Sequence, residues 1–143
     1  MRFSDIFFCK KRGSGTKYDE SHFISLFNKL EDLIDREPSI LKDSLSLNNL
    51  SKMVGTNRTY LSNSIKVARR CSFSHYIAEK RVNYSITLVD SFILERDFSL
   101  IDIDNISDLS GFGSRRSYVT YFKRIMGVYP SQYIKRRYMS TDK

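Results

Sequence analysis

GFGSRRSYVTYFKRIMGVYPSQYIKRR, residues 111–137, alternates helix-stopping signals with helical periodicity. Gly111 can adopt the positive backbone angle that ends a helix cheaply, and Ser114 is a good N-cap for the next one. Beyond it Tyr118, Tyr121 and Phe122 recur on one helical face, and Lys123 and Arg124 follow. Pro130 suits the first position of a further helix, where its missing N–H costs nothing. Upstream, Asp104 is placed to cap a short segment carrying Ile106 and Leu109. The spacing predicts helix, tight turn, helix over about 104–126, then a final helix over about 130–138 and a C-terminal tail, 138–143.

The same punctuation occurs once more, nearer the N-terminus. Ser46 can cap a segment with Leu47, Leu50 and Val54 on one face; Gly55 ends it; Asn57 caps a second segment with Tyr60, Leu61, Ile65 and Ala68 apolar. This first helix-turn-helix covers about 46–69. The two units align: Leu50-Ser51 with Ile106-Ser107, Gly55 with Gly111, Asn57 with Ser114, Leu61 and Ile65 with Tyr118 and Phe122, Lys66 with Lys123. Between them a linker helix is expected over about 74–90, with Ile77, Tyr84 and Leu88 inward. Residues 18–44 form an N-terminal helix and connector: Phe23, Phe27, Leu30 and Ile34 share a face from Asp19 to about Arg36, and the helix stops before Pro38. The nearest thing to a strand, Leu100 to Ile103, is too short to build a sheet. The fold class is all-α.

Two units joined by a stiff helix could present two recognition helices to neighbouring major grooves, roughly 34 Å apart on a duplex. The charge agrees with such a partner. Lys and Arg total 24 against 16 Asp and Glu, a net charge of +8. Residues 57–81 carry +5 (six basic, one acidic), 82–114 carry −5 (one basic, six acidic) and 115–143 carry +7 (eight basic, one acidic). Each basic block opens on a second helix of a unit, which points to a polyanion. Cys9 and Cys71 cannot build a disulfide framework and fit a reducing cytosol. His22 and His75 have no carboxylate or nucleophile at useful spacing, so no metal site, no cofactor site and no enzyme are expected. No apolar run approaches the roughly 18 residues of a membrane span.

Stretch 111–137 resembles the second half of the AraC/XylS-type DNA-binding domain: its Gly-Phe, its Phe-Lys, the Gly ahead of the Pro position and the closing Pro-Ser-x-Tyr all have counterparts here. LSNSIK at 61–66, SFSHYI at 72–77 and Arg81 are similar to the first half and the linker helix. The resemblance covers about residues 45–137. It implies a bacterial transcription regulator, a C-terminal-type domain of seven helices with two helix-turn-helix subdomains, here with an extra N-terminal helix. Three departures stand out. The Thr usual before the Pro is Tyr129; the usual Ala of both scaffolding helices is Ser, at Ser51 and Ser107; the glycine before the linker helix is absent, with Arg70-Cys71 in its place.

With Leu61, Ile65 and Ala68 inward, Arg58, Thr59, Ser62 and Asn63 face outward on the first recognition helix as candidate base contacts. On the second, Arg115, Arg116, Ser117 and Thr120 do so. The family pattern singles out Thr59, Ser62, Asn63, Arg115, Arg116 and Thr120 among these. Arginine bidentate to guanine and asparagine to adenine are the discriminating pairings. Lys66, Arg69, Arg70, Lys123, Arg124, Lys135, Arg136 and Arg137, late on their helices or beyond them, suit phosphate positioning. Arg81 is expected to brace the linker helix. Double-stranded DNA is the expected partner, with RNA polymerase beside it, and a homodimer or an upstream sensor domain if the chain is a fragment.

Residues 1–17 read as a basic flexible tail; Ile6 to Cys9 followed by Lys10-Lys11-Arg12 has equally the composition of a membrane segment's cytoplasmic exit. Localisation is therefore cytoplasmic and nucleoid-associated, or membrane-tethered. Residues 1–44 are too few for an effector-binding barrel, and the Asp19–Arg36 helix is expected to be an added docking or dimer face with Glu31, Asp32 and Asp35 outward. The rival readings are an architectural or protein-interaction module and a membrane-surface module.

Overall fold

The structure, a computed structural model, describes residues 19–42 and 45–141. The expectations for 1–17, among them the Ile6 to Cys9 run, lie outside them. The described residues form seven α-helices: α1 (Glu20–Arg36), α2 (Leu47–Val54), α3 (Arg58–Arg69), α4 (Phe73–Leu94), α5 (Ile103–Leu109), α6 (Arg115–Met126) and α7 (Pro130–Thr141), with short 3₁₀ turns at Pro38–Lys42 and Phe98–Leu100. Glu20–Arg36, set apart in the sequence as an addition, is the first of the seven. The chain divides into two compact units.

Unit 1 holds α1, α2, α3 and the start of α4 as far as Tyr76. Asp19 caps α1, whose Phe23, Leu26, Phe27, Leu30 and Ile34 are buried. These side chains pack α1 along α3 and against α2. Rings knit the same seam: Phe23 lies 6.2 Å from Tyr60, and Phe27 meets Tyr76 edge-on at 5.6 Å. The expected docking or dimer face is thus corrected. The apolar stripe of α1 is spent inside its own unit. Glu31, expected outward with Asp32 and Asp35, accepts a hydrogen bond from the buried Tyr76 hydroxyl. Burial, reinforced by that carboxylate, pushes the Tyr76 hydroxyl well above its ordinary pKa.

Unit 2 holds the Pro38–Lys42 turn and the described residues from Ile77 onward. Its core joins Ala78, Val82, Val89 and Ile93 of α4 to Ile106, Phe112, Tyr118 and Phe122. The inward series on α4 differs from the expected one: Ile77 is buried, but Tyr84 and Leu88 are only half-buried. Apolar residues lie all round this helix, so periodicity alone does not choose a face. The helix also runs to Leu94 rather than Asp90, about 33 Å for its 22 residues. The Pro38–Lys42 turn buries Ile40 and Leu41. Arg81 Nε donates to the Leu41 carbonyl at 2.9 Å, so Arg81 braces this turn onto α4; burial lowers its pKa.

Candidate nucleic-acid interface

The two helix-turn-helix units are built by the same local chemistry. Asn57 Oδ1 accepts from Tyr60 N at 3.0 Å and Ser114 Oγ from Ser117 N at 3.1 Å, so the second helix of each unit, α3 and α6, starts on a side-chain cap three residues back. Thr56 N reaches Ser51 O and Phe112 N reaches Ser107 O, closing the two turns alike over Gly55 and Gly111. Leu50, Ser51, Ile106 and Ser107 are all buried where the helices cross, and Leu61, Ile65, Tyr118 and Phe122 root α3 and α6 in their cores. The second turn is one residue longer and drives Phe112 into the core. One cap differs from its expectation: α5 starts on Asp102, whose carboxylate takes the N–H groups of Asp104 and Asn105, and Asp104 falls inside the helix. Asp102 wins because it lies two and three residues before the amides it must reach.

The far ends match as well. Arg70 N donates to Lys66 O and Gly127 N to Lys123 O, both at 2.9 Å. Gly127 takes the left-handed conformation at φ 76°, and Arg70, a non-glycine residue, takes it at φ 54°. Before α7, Gln132 Oε1 accepts from Tyr129 N at 3.0 Å, so half of a capping box survives although Tyr129 brings no hydroxyl cap.

Among the candidate base contacts, Arg115, Arg116, Ser117 and Thr120 are all exposed on the first two turns of α6. On α3, Arg58 and Thr59 are exposed while Ser62 and Asn63 are half-buried. The Ser117 hydroxyl accepts from the Ser114 cap at 3.1 Å. Arg115 Nη1 lies 3.3 Å from Asp104 Oδ2, a pairing that sequence reasoning missed because Asp104 was read as a cap. The candidate phosphate contacts separate by their surroundings. Lys66, Arg70, Arg124, Lys135 and Arg136 are exposed. Arg69 is half-buried, its charge felt by Tyr76. Lys123 Nζ donates to Gly127 O at 2.9 Å and sits over the Tyr129 ring, and Arg137 Nε pairs with Asp90 at 2.9 Å.

The described residues contain no group of three or more His, Cys, Asp and Glu side chains placed to hold a metal ion, and no helix long and apolar enough to cross a membrane. No protein-family model and no curated protein matches the chain. In fold the chain is similar to the crystal structure of a DNA-binding transcriptional dual regulator from Escherichia coli K-12, with a TM-score of 0.60 and 15% identity, over 78% of this chain and 96% of that one. At that identity the likeness is one of fold.

Proposed function

We propose that this chain is a sequence-specific, double-stranded-DNA-binding transcription regulator of the AraC type, with α3 and α6 entering successive major grooves. The observation behind the reading is the exposed polar row Arg115, Arg116, Ser117 and Thr120 at the capped start of a helix whose opposite side is anchored by Tyr118 and Phe122. A helix start of this kind offers base-reading side chains to a groove and backbone amides to phosphates. Arg58 and Thr59 give α3 a similar but sparser row. The molecule acts in this reading without cofactor, metal or catalytic step, in the bacterial cytoplasm, on promoter DNA beside RNA polymerase.

The test is an unbiased selection of bound duplexes from a random library at near-physiological salt. Two short boxes about one helical turn apart are expected. A single box would confine base reading to one unit. Binding without enrichment would support the rival, an architectural or protein-interaction module. That rival has one observation in its favour: on unit 2, Phe98, Leu100 and Met139 remain exposed around an open groove lined by Ile101, Ile103, Ile134 and Tyr138.

A further inference from the structure

We infer that Asp104 is a positioning residue for base recognition: its carboxylate holds the Arg115 guanidinium at the head of α6, so that this arginine reads guanine instead of anchoring a phosphate. The inference rests on the DNA-binding reading above.

Both partners grow from fixed backbone. Asp104 N donates to Asp102 Oδ2 at 3.2 Å in the first turn of α5, and Arg115 directly follows the Ser114 cap of α6. The pair bridges the two helix starts at 3.3 Å, with the side chains 60% and 62% exposed. An exposed single pair contributes little to folding, so its use lies elsewhere. Three consequences follow from its chemistry. Asp104 engages Nη1, and the Nε–Nη2 edge keeps two parallel donors, the arrangement that matches guanine O6 and N7. A long side chain already held in one place loses less freedom when it docks. A carboxylate beside the guanidinium repels a phosphate but not a guanine, and it can accept from a neighbouring cytosine N4 amino group.

The internal duplication supplies the contrast. Asp104 corresponds to Asn48 and Arg115 to Arg58, and α2 has no acidic residue in its first turn. Only the second unit carries the carboxylate.

The test uses the full chain and the same random-duplex selection, followed by affinities for the selected site and its single-base variants. Arg115→Ala should abolish the guanine preference at one position. Asp104→Asn should lower that preference about five- to tenfold, while affinity for random-sequence DNA holds or rises as a negative charge is lost. Asp104→Glu should restore most of the preference. Combining Asp104→Asn with Arg115→Ala should be no worse than Arg115→Ala alone. Asp108→Asn, which removes an exposed charge from the same helix, should leave every base preference intact. The inference is overturned if Asp104→Asn keeps the guanine preference, or if it weakens selected and random DNA in parallel. If the unaltered chain selects a site and Arg115→Ala erases a guanine while Asp104→Asn does not, the DNA-binding reading stands and this inference alone fails. If the unaltered chain selects nothing, both fall together.

Discussion

Gly55 and Gly111 end matching helices at φ +83° and +91°, yet a methyl group would meet nothing within 4 Å at Gly55 and would lie 1.8 Å from the Leu41 carbonyl oxygen at Gly111. Gly55→Ala therefore carries only the left-handed penalty, about 1–2 kcal/mol. Gly111→Ala adds a clash with backbone that Arg81 holds in place, and a loss on the order of 4 kcal/mol is expected. Urea unfolding of the two variants checks this; equal losses would mean that the Pro38–Lys42 turn yields freely. A second pair of matched residues separates in the opposite sense. Ser51 Oγ donates to Asn48 O at 2.8 Å, whereas the buried Ser107 hydroxyl has no partner among the described residues. Ser107→Ala should raise stability by about 1 kcal/mol, and Ser51→Ala should change it little. Both glycines and the caps Ser46, Asn57 and Ser114 were legible, because turn and cap chemistry is decided within a few residues. The Leu41 approach to Gly111 was not, since tertiary packing alone brings together positions so far apart in the chain.

At the scale of elements, the helices rich in one-sided apolar spacing were legible and α4 was only partly so. Ile77 is buried as expected, but Val82 and Val89 fill the core in place of Tyr84 and Leu88, because the apolar residues of α4 do not define a single stripe. The role of α1 was misread for a different reason. A stripe of Phe and Leu shows that a face is buried, not what it is buried against. Phe27→Ala should now cost about 3–5 kcal/mol in thermal or urea unfolding, whereas a free docking face would lose almost nothing. Tyr118 gives α6 a second signature. Burial pushes its hydroxyl up to about 12, and the hydroxyl donates to Ser85 Oγ at 3.2 Å. The folded value lies above the unfolded one near 10, so its contribution is complete below pH 10 and is lost as pH climbs toward 12. Stability should fall by about 1 kcal/mol between pH 10 and pH 11 from this group, and Tyr118→Phe should flatten that part of the profile. Tyr76 and Tyr133, both also raised by burial, add slope of the same sign.

For the whole molecule the deciding quantity is how many of its positive charges reach a polyanion. The basic blocks were legible as blocks, but charge along a chain does not say which cations are already committed. Of the eight candidate phosphate contacts, Arg137 is paired with Asp90 and Lys123 is tied to the Gly127 carbonyl. The exposed Lys66, Arg124, Lys135 and Arg136 alone should give the log–log dependence of duplex affinity on salt a slope of about −4. The Asp90 pairing also makes the total adjustable at one point. Asp90→Asn releases Arg137 from an exposed contact of small folding value, leaving unfolding nearly unchanged. If Arg137 then reaches the backbone of bound DNA, affinity should rise and the slope should steepen by about 0.9, the same for selected and random duplexes because phosphates carry no sequence. Titrating duplex at four or five salt concentrations with both proteins reads this directly. An unchanged slope would place the end of α7 away from the duplex and confine the electrostatic footprint to the ends of α3 and α6.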